Sequence, residues 1–197
     1  DRIAHGGTLL FVGTKKQAVD TIEQAAQRAQ MPYVTYRWLG GMLTNFTTIK
    51  KSIKHLKNLE KMAVDGTYDN ITKKEILQIE RSKEKLERSL GGIKEMTRLP
   101  GALFVVDTKK ESIAVAEARK LHIPVFGMLD TNADPDVIDY PVPANDDAFK
   151  SISLIVHTIA DSVLEGKLRA GAQAIKKEEV PEEEPAEAKM KMEEDEE

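Results

Sequence analysis

Apolar residues along the chain follow two rhythms. Short unbroken runs occupy residues 7–12 (Gly-Thr-Leu-Leu-Phe-Val), 102–106 (Ala-Leu-Phe-Val-Val) and 124–129. A run without polar alternation predicts a strand buried on both faces, as in a parallel sheet. Between these runs the spacing changes to three or four. Ala18, Ile22, Ala25, Ala26 and Ala29 predict a helix over residues 15–30, stopped by Met31-Pro32. Residues 33–36 read as a short second strand. Thr108-x-x-Glu111 predicts a capping box that opens a helix through Leu121. A final helix starting near Asp146 carries Ile152, Ile155, Val156, Ile159, Val163 and Leu164 on one broad face. Residues 130–145, with Asp134-Pro135, Pro141 and Pro143, read as a loop. Strand–helix–strand alternation with short links predicts an α/β fold, a parallel sheet with helices on both faces.

Residues 42–98 break this alternation. Thr44 or Asn45 is placed to cap a helix in which Ile49, Ile53, Leu56, Leu59 and Met62 form a stripe. Asp65-Gly66 and Asp69-Asn70 mark a turn, and Thr72-x-x-Glu75 predicts a second capping box. Ile76, Ile79, Leu86, Leu90 and Ile93 form a second stripe, interrupted by Lys83. Two narrow stripes joined by a turn predict an antiparallel helical hairpin close to a coiled coil, projecting from the sheet domain and adding little to its core. The expected organisation is therefore an α/β domain made of residues 1–41 and 99–168, with residues 42–98 inserted.

Charge divides the chain further. Of its 197 residues, 29 are Lys or Arg and 33 are Asp or Glu, a net charge of −4 that averages unlike pieces. Residues 176–197 hold four Lys and eleven acidic residues, and with almost nothing to bury they read as a disordered acidic tail. Residues 42–98 hold 13 basic and eight acidic residues, so the inserted hairpin is basic. The absence of Cys excludes disulfides, thiolate metal sites and a Cys nucleophile. The longest apolar stretches are far too short to span a bilayer, and no signal peptide is expected. The chain starts at Asp1 directly before a strand-like run, which reads as the C-terminal part of something longer.

Candidate chemistry is mostly cationic. Gly13-Thr-Lys15-Lys16 follows one strand and Asp107-Thr-Lys109-Lys110 another, so two Lys pairs mark corresponding strand ends. They read either as one positive edge that meets a phosphate backbone or as solvated first-turn residues. Neither G-x-G-x-x-G nor G-x-x-x-x-G-K-[ST] occurs, so a nucleotide cofactor is poorly supported. Lys50, Lys51, Lys54 and Lys57 give the first hairpin helix surplus charge suited to RNA, and Arg37 is a further phosphate contact. In the second hairpin helix basic and acidic residues compensate each other. Trp38 reads as a packing wedge, with Gly40 and Gly41 a sharp bend where the hairpin leaves the sheet. The four His lack metal-ligand spacing, and Asp130, Asp134, Asp136 and Asp139 read as turn residues, so no catalytic, metal or cofactor site is expected.

Four segments carry a family resemblance. Gly7-Thr-Leu-Leu-Phe-Val-Gly-Thr-Lys-Lys-Gln-Ala18, Tyr36-Arg-Trp-Leu-Gly-Gly-Met-Leu-Thr-Asn45, Leu99-Pro-Gly-Ala-Leu-Phe-Val-Val-Asp107 and Asp139-Tyr-Pro-Val-Pro-Ala-Asn-Asp-Asp147 closely resemble small-subunit ribosomal protein two, in its bacterial or organellar form. The resemblance runs from about residue 6 to 168. It implies a Rossmann-like (flavodoxin-like) three-layer parallel sheet, a projecting helical hairpin and a non-enzymatic role in translation. It implies binding to small-subunit ribosomal RNA and to neighbouring ribosomal proteins, including the mRNA-binding ribosomal protein one. The implied location is the cytoplasmic ribosome, with no membrane and no homo-oligomer required. The family's N-terminal region, rich in His, Arg and aromatic residues, has no counterpart here, so one strand and some RNA contacts are expected to be missing. The rival reading is an enzyme that binds a sugar phosphate or nucleotide in the strand-end crevice at residues 13–16.

Overall fold

The structure, a computed structural model, describes residues 2–65 and 72–178. Five parallel strands form one sheet in the order β2-β1-β3-β4-β5: β1 Leu9–Val12, β2 Tyr33–Val34, β3 Ala102–Val106, β4 Val125–Leu129 and β5 Tyr140–Pro143. The helices are α1 Val19–Ala29, α2 Phe46–Val64, α3 Lys73–Leu90, α4 Ser112–Lys120 and α5 Phe149–Glu178. The three unbroken apolar runs became β1, β3 and β4, whose residues are buried almost throughout because both faces are covered.

Alternate strand residues divide between two cores. Leu9, Phe11, Phe104, Val106 and Met128 face α1 and α5, where Ile22, Ala25, Ala26, Ile152, Val156 and Ala160 are buried. Leu10, Val12, Leu103, Val105 and Val125 face the other way, onto Ala114, Val115 and Ala118 of α4. The three layers follow from right-handed crossovers: the chain moves one way from β1 to β2 and the other way from β2 past β1 to β3. The fold is Rossmann-like, with the flavodoxin-like strand order.

The second core does not stop at α4. Met42, Leu43, Phe46, Ile49, Ile53 and Leu56, together with Leu90, Ile93 and Met96, belong to the same apolar cluster as the sheet face. The expectation that the hairpin adds little to the main core is thus corrected: it occupies the crossover layer between β2 and β3, and its foot is core. Outward from the foot the seam opens. Ile76, Ile79 and Leu86 of α3 are only half-buried and Leu77 is exposed, so the second stripe is covered at Leu90 and little beyond.

Several local expectations shift. The Thr72–Glu75 capping box forms. The Thr108–Glu111 box does not: α4 begins at Ser112, and Glu111 points away to Thr14. Asn45 holds the cap position of α2 without bonding a backbone N–H, its Oδ1 accepting from Thr47 Oγ1 at 3.4 Å, and Thr44 is engaged by Glu117. The second strand is only Tyr33–Val34; Thr35 beyond it turns its hydroxyl to Glu23. The expected loop over residues 130–145 contains β5, paired with β4 in the register Phe126↔Tyr140 and Met128↔Val142. The Phe126 and Tyr140 rings stack at 4.4 Å, and Ala144 N bonds Leu129 O. Strand residues alternate in the side to which their N–H points, so Pro141 and Pro143 place their missing donors on the outer side. α5 continues to Glu178, making the first three residues of the expected tail helical; the rest of that tail and the turn at residues 66–71 lie outside the described residues.

Two close approaches fix the layers. Lys167 of α5 donates to Ala29 O at 2.7 Å, where a cation suits the carbonyl end of α1. Gly92 lies against β2 so closely that a Cβ would meet Tyr33 O at 2.2 Å. Gly92→Ala is expected to cost about 2 kcal/mol, since backbone rather than a side-chain tip would have to move. Urea unfolding checks this, and an unchanged midpoint would contradict it.

Candidate nucleic-acid interface

With this strand order the crossovers diverge between β1 and β3, and the carboxyl ends of the strands there normally leave a ligand crevice. In this chain the protein's own side chains fill it. Thr14, just past β1, gives its N–H to Glu111 Oε1 at 3.2 Å and its hydroxyl to the same oxygen. Thr14 O accepts from Lys110 Nζ at 3.1 Å. Lys15 Nζ lies 2.7 Å from Asp146, 2.5 Å from Asp147 and 3.5 Å from Asp107. Burial alone would lower the Lys15 pKa; the bonds to Asp146 and Asp147 and the charge of Asp107 outweigh it and hold the ammonium well above the usual lysine range.

These ties bring together the ends of β1 and β3 and the β5–α5 connection. Asp130, Asp146 and Asp147 offer carboxylate oxygens within 4.8 Å of one another, but Lys15 already sits against two of these residues. Asp134 does turn chemistry by accepting from Asp136 N, whereas Asp139, expected to be a turn residue, accepts from Val125 N at the start of β4, a tertiary contact 14 positions away. Asn145 caps the approach to α5 by accepting from Asp147 N and Ala148 N, while Asp146 turns inward to the lysine.

A second carboxylate organises the place where the hairpin leaves the sheet. Glu117 of α4 is buried, and no cation pairs with it among the described residues. Its Oε1 accepts from Trp38 Nε1 (3.2 Å) and Gly41 N (2.7 Å). Its Oε2 accepts from Leu43 N, Thr44 N and Thr44 Oγ1, each at 3.0 Å. Burial pushes the Glu117 pKa up, yet this ring of donors outweighs it and holds the carboxyl below the usual glutamate range. Gly41, at φ +86°, supplies the left-handed backbone that turns these amides inward. Trp38 is buried, with its indole N–H satisfied by Glu117.

The cations singled out from the sequence have different fates. Lys15 is internal. Lys16, Arg37, Lys109 and Lys110 are exposed, as are Lys50, Lys51 and Lys54 on α2; Lys57 is half-buried and paired with Glu95 at 3.0 Å. Lys50 lies 4.9 Å above the Phe46 ring, close enough for a cation–π contact. Arg37 and Lys110 line one crevice with Lys85, although the charges of the Lys85 helix read as mutually compensated in the sequence. Glu117 is an organising residue to which the sequence, read alone, assigned no role beyond its place in the family pattern. Its signal was present: an acid on the Ala114–Ala118–Leu121 face of an otherwise apolar stripe. Among the described residues no helix is long and apolar enough to cross a membrane.

Comparison with known proteins is consistent with these features. The model of the family described as ribosomal protein S2 matches residues 1–166. The chain is 58% identical over 179 residues to the small ribosomal subunit protein uS2 of Mycolicibacterium gilvum, covering 90% of this chain and 64% of that protein. It is 60% identical over 176 residues to the protein of the same name from Acidothermus cellulolyticus, covering 88% and 64%. To that of Borreliella burgdorferi it is 57% identical over 173 residues, covering 88% and 66%. The chain thus spans a little under two thirds of the length of these relatives. From the strand ends through the hairpin junction to α5, the chain belongs to the ribosomal protein S2 family.

Proposed function

We propose that this chain is a structural component of the small ribosomal subunit, acting through non-catalytic contacts with small-subunit ribosomal RNA and neighbouring subunit proteins. The observation that carries the reading is family membership at 57–60% identity to proteins named for that subunit. The filled crevice supports it. A sheet whose ligand position is taken by Thr14–Glu111 and by Lys15 with three aspartates serves as a scaffold, which counts against a sugar-phosphate or nucleotide enzyme at residues 13–16. In this reading residues 1–41 and 99–168 are the scaffold and residues 42–98 an inserted arm. Lys16, Arg37, Lys50, Lys51, Lys54, Lys109 and Lys110 neutralise phosphates, with Lys57 contributing once released from Glu95, whereas Lys15 acts by holding the scaffold. The mRNA-binding ribosomal protein one is among the proposed protein neighbours.

The test is sedimentation of the tagged full-length protein from lysate. Stoichiometric comigration with small subunits, abolished by RNase, is expected; a folded protein that stays free would overturn the reading. A sharper outcome concerns salt. Neutralising Lys50, Lys51 and Lys54 together is expected to flatten the log–log salt dependence of RNA binding by roughly 0.7–0.9 for each phosphate that is no longer neutralised. An unchanged slope would remove the first hairpin helix from the interface.

A further inference from the structure

A crevice of about 670 Å³ opens beside the hairpin foot, where the β2–α2 connection, α3 and the start of α4 meet. It borders the filled strand end, sharing Thr14, Glu111 and Lys110 (whose Nζ also donates to Thr14 O), and touches the Glu117 junction at Trp38. Tyr36, Arg37, Lys85 and Ile113 belong to neither. Three cations from three separate elements line it: Arg37, Lys85 and Lys110. Its one acidic lining residue, Glu111, is buried and already bonded to Thr14. Two walls are apolar and left bare by the fold, Tyr36 at 59% and Ile113 at 57% exposure. Arg37 makes no hydrogen bond or ion pair among the described residues.

An exposed ring, an aliphatic wall and a surplus of cations match an aromatic base bearing an anionic phosphate. Base stacking on an aromatic side chain accepts any base, and the cations supply the salt-dependent part. A duplex keeps its bases stacked inside and cannot lay one against Tyr36. A neighbouring crevice of about 760 Å³ gives the contrast. There Glu23, Glu80, Glu84 and Glu87 outnumber Lys83, Arg88 and Lys94, so a phosphate would be repelled.

We propose that the crevice at Tyr36 binds a single unstacked RNA nucleotide, with its base against Tyr36 and Ile113 and its phosphate on Arg37, Lys85 and Lys110. This rests on the ribosomal-RNA reading above and gives that contact a chemical class, a nucleotide in a single-stranded or looped segment. The test uses the full chain, fluorescence anisotropy and two probes: labelled oligouridine and a labelled RNA duplex of equal length. Tyr36→Ala is expected to weaken oligouridine binding about tenfold while leaving duplex binding unchanged. Tyr36→Phe is expected to retain both affinities, since the ring rather than the hydroxyl is used. Arg37→Ala is expected to lower the oligouridine salt slope by roughly 0.7. Tyr36 is largely exposed, so an unchanged unfolding midpoint will show that its truncation leaves the fold intact. Unchanged oligouridine affinity in Tyr36→Ala, or an equal loss on duplex, would overturn the proposal while RNA binding itself stands. A wild-type chain that binds neither probe and does not comigrate with subunits would instead overturn the ribosomal reading.

Discussion

Glu117→Gln is expected to lower the unfolding temperature by about 10 °C. Five donors converge on this buried carboxylate, three of them backbone amides of the turn that starts the hairpin. Glutamine keeps the shape and one acceptor oxygen, which can still serve Trp38 and Gly41. Its NH₂ must then face the amides of Leu43 and Thr44, leaving buried donors without partners. Such groups cost about 1–3 kcal/mol each, and a chain of this size loses about 2–4 °C per kcal/mol. The pH dependence carries a sign. The folded pKa is depressed, so Glu117 stabilises the fold above its unfolded pKa, and this contribution fades as pH falls through the lower folded value. Wild-type stability should therefore decline on acidification through and below the usual glutamate range, and the variant should lack that component. Thermal melts across an acidic pH series check both statements. A melting temperature within a degree or two of wild type would mean that the junction is held by packing alone.

Lys15→Met is the second large effect, expected to destabilise by about 3 kcal/mol. Methionine retains the stem but leaves Asp107, Asp146 and Asp147 facing one another without a counter-charge; Asp146 is almost wholly buried. Asp147 is exposed and screened, which limits its share. Because the folded pKa of Lys15 is raised, its contribution is complete at every pH below the ordinary lysine value and is lost only at strongly alkaline pH. The variant should accordingly be weakened equally at pH 6 and pH 8. Adding Asp146→Asn should recover part of the loss, giving a coupling energy in a double-mutant cycle measured by urea unfolding. Independent, additive effects would show that Lys15 does not hold the strand ends together.

The sheet was legible because burial on both faces leaves continuous apolar runs, which describe β1, β3 and β4 well. β5 was not: Tyr140-Pro-Val-Pro143 is half proline and mostly exposed, and only its pairing with β4 makes it a strand. The hairpin stripes were correctly spaced, but spacing does not say what a stripe packs against, so the foot's place in the core stayed hidden. The same limit governs the site. Thr-Lys-Lys after two strands looked like one positive edge, yet Lys15 meets carboxylates 92, 131 and 132 positions further along, and such pairings leave no local signal. Tyr36, Lys85 and Ile113 converge for the same reason, through tertiary placement alone.

Both margins of the described sheet resist an added strand. On the β5 side the outward positions are Pro141 and Pro143, which offer an incoming strand no donor. On the β2 side the turn at Gly92 leaves no room for a Cβ above Tyr33 O. Main-chain augmentation, in which a partner lends a strand, is therefore opposed at these positions of the described sheet. Recognition at these margins falls to side chains, and an edge poor in donors also discourages strand pairing between copies of the chain.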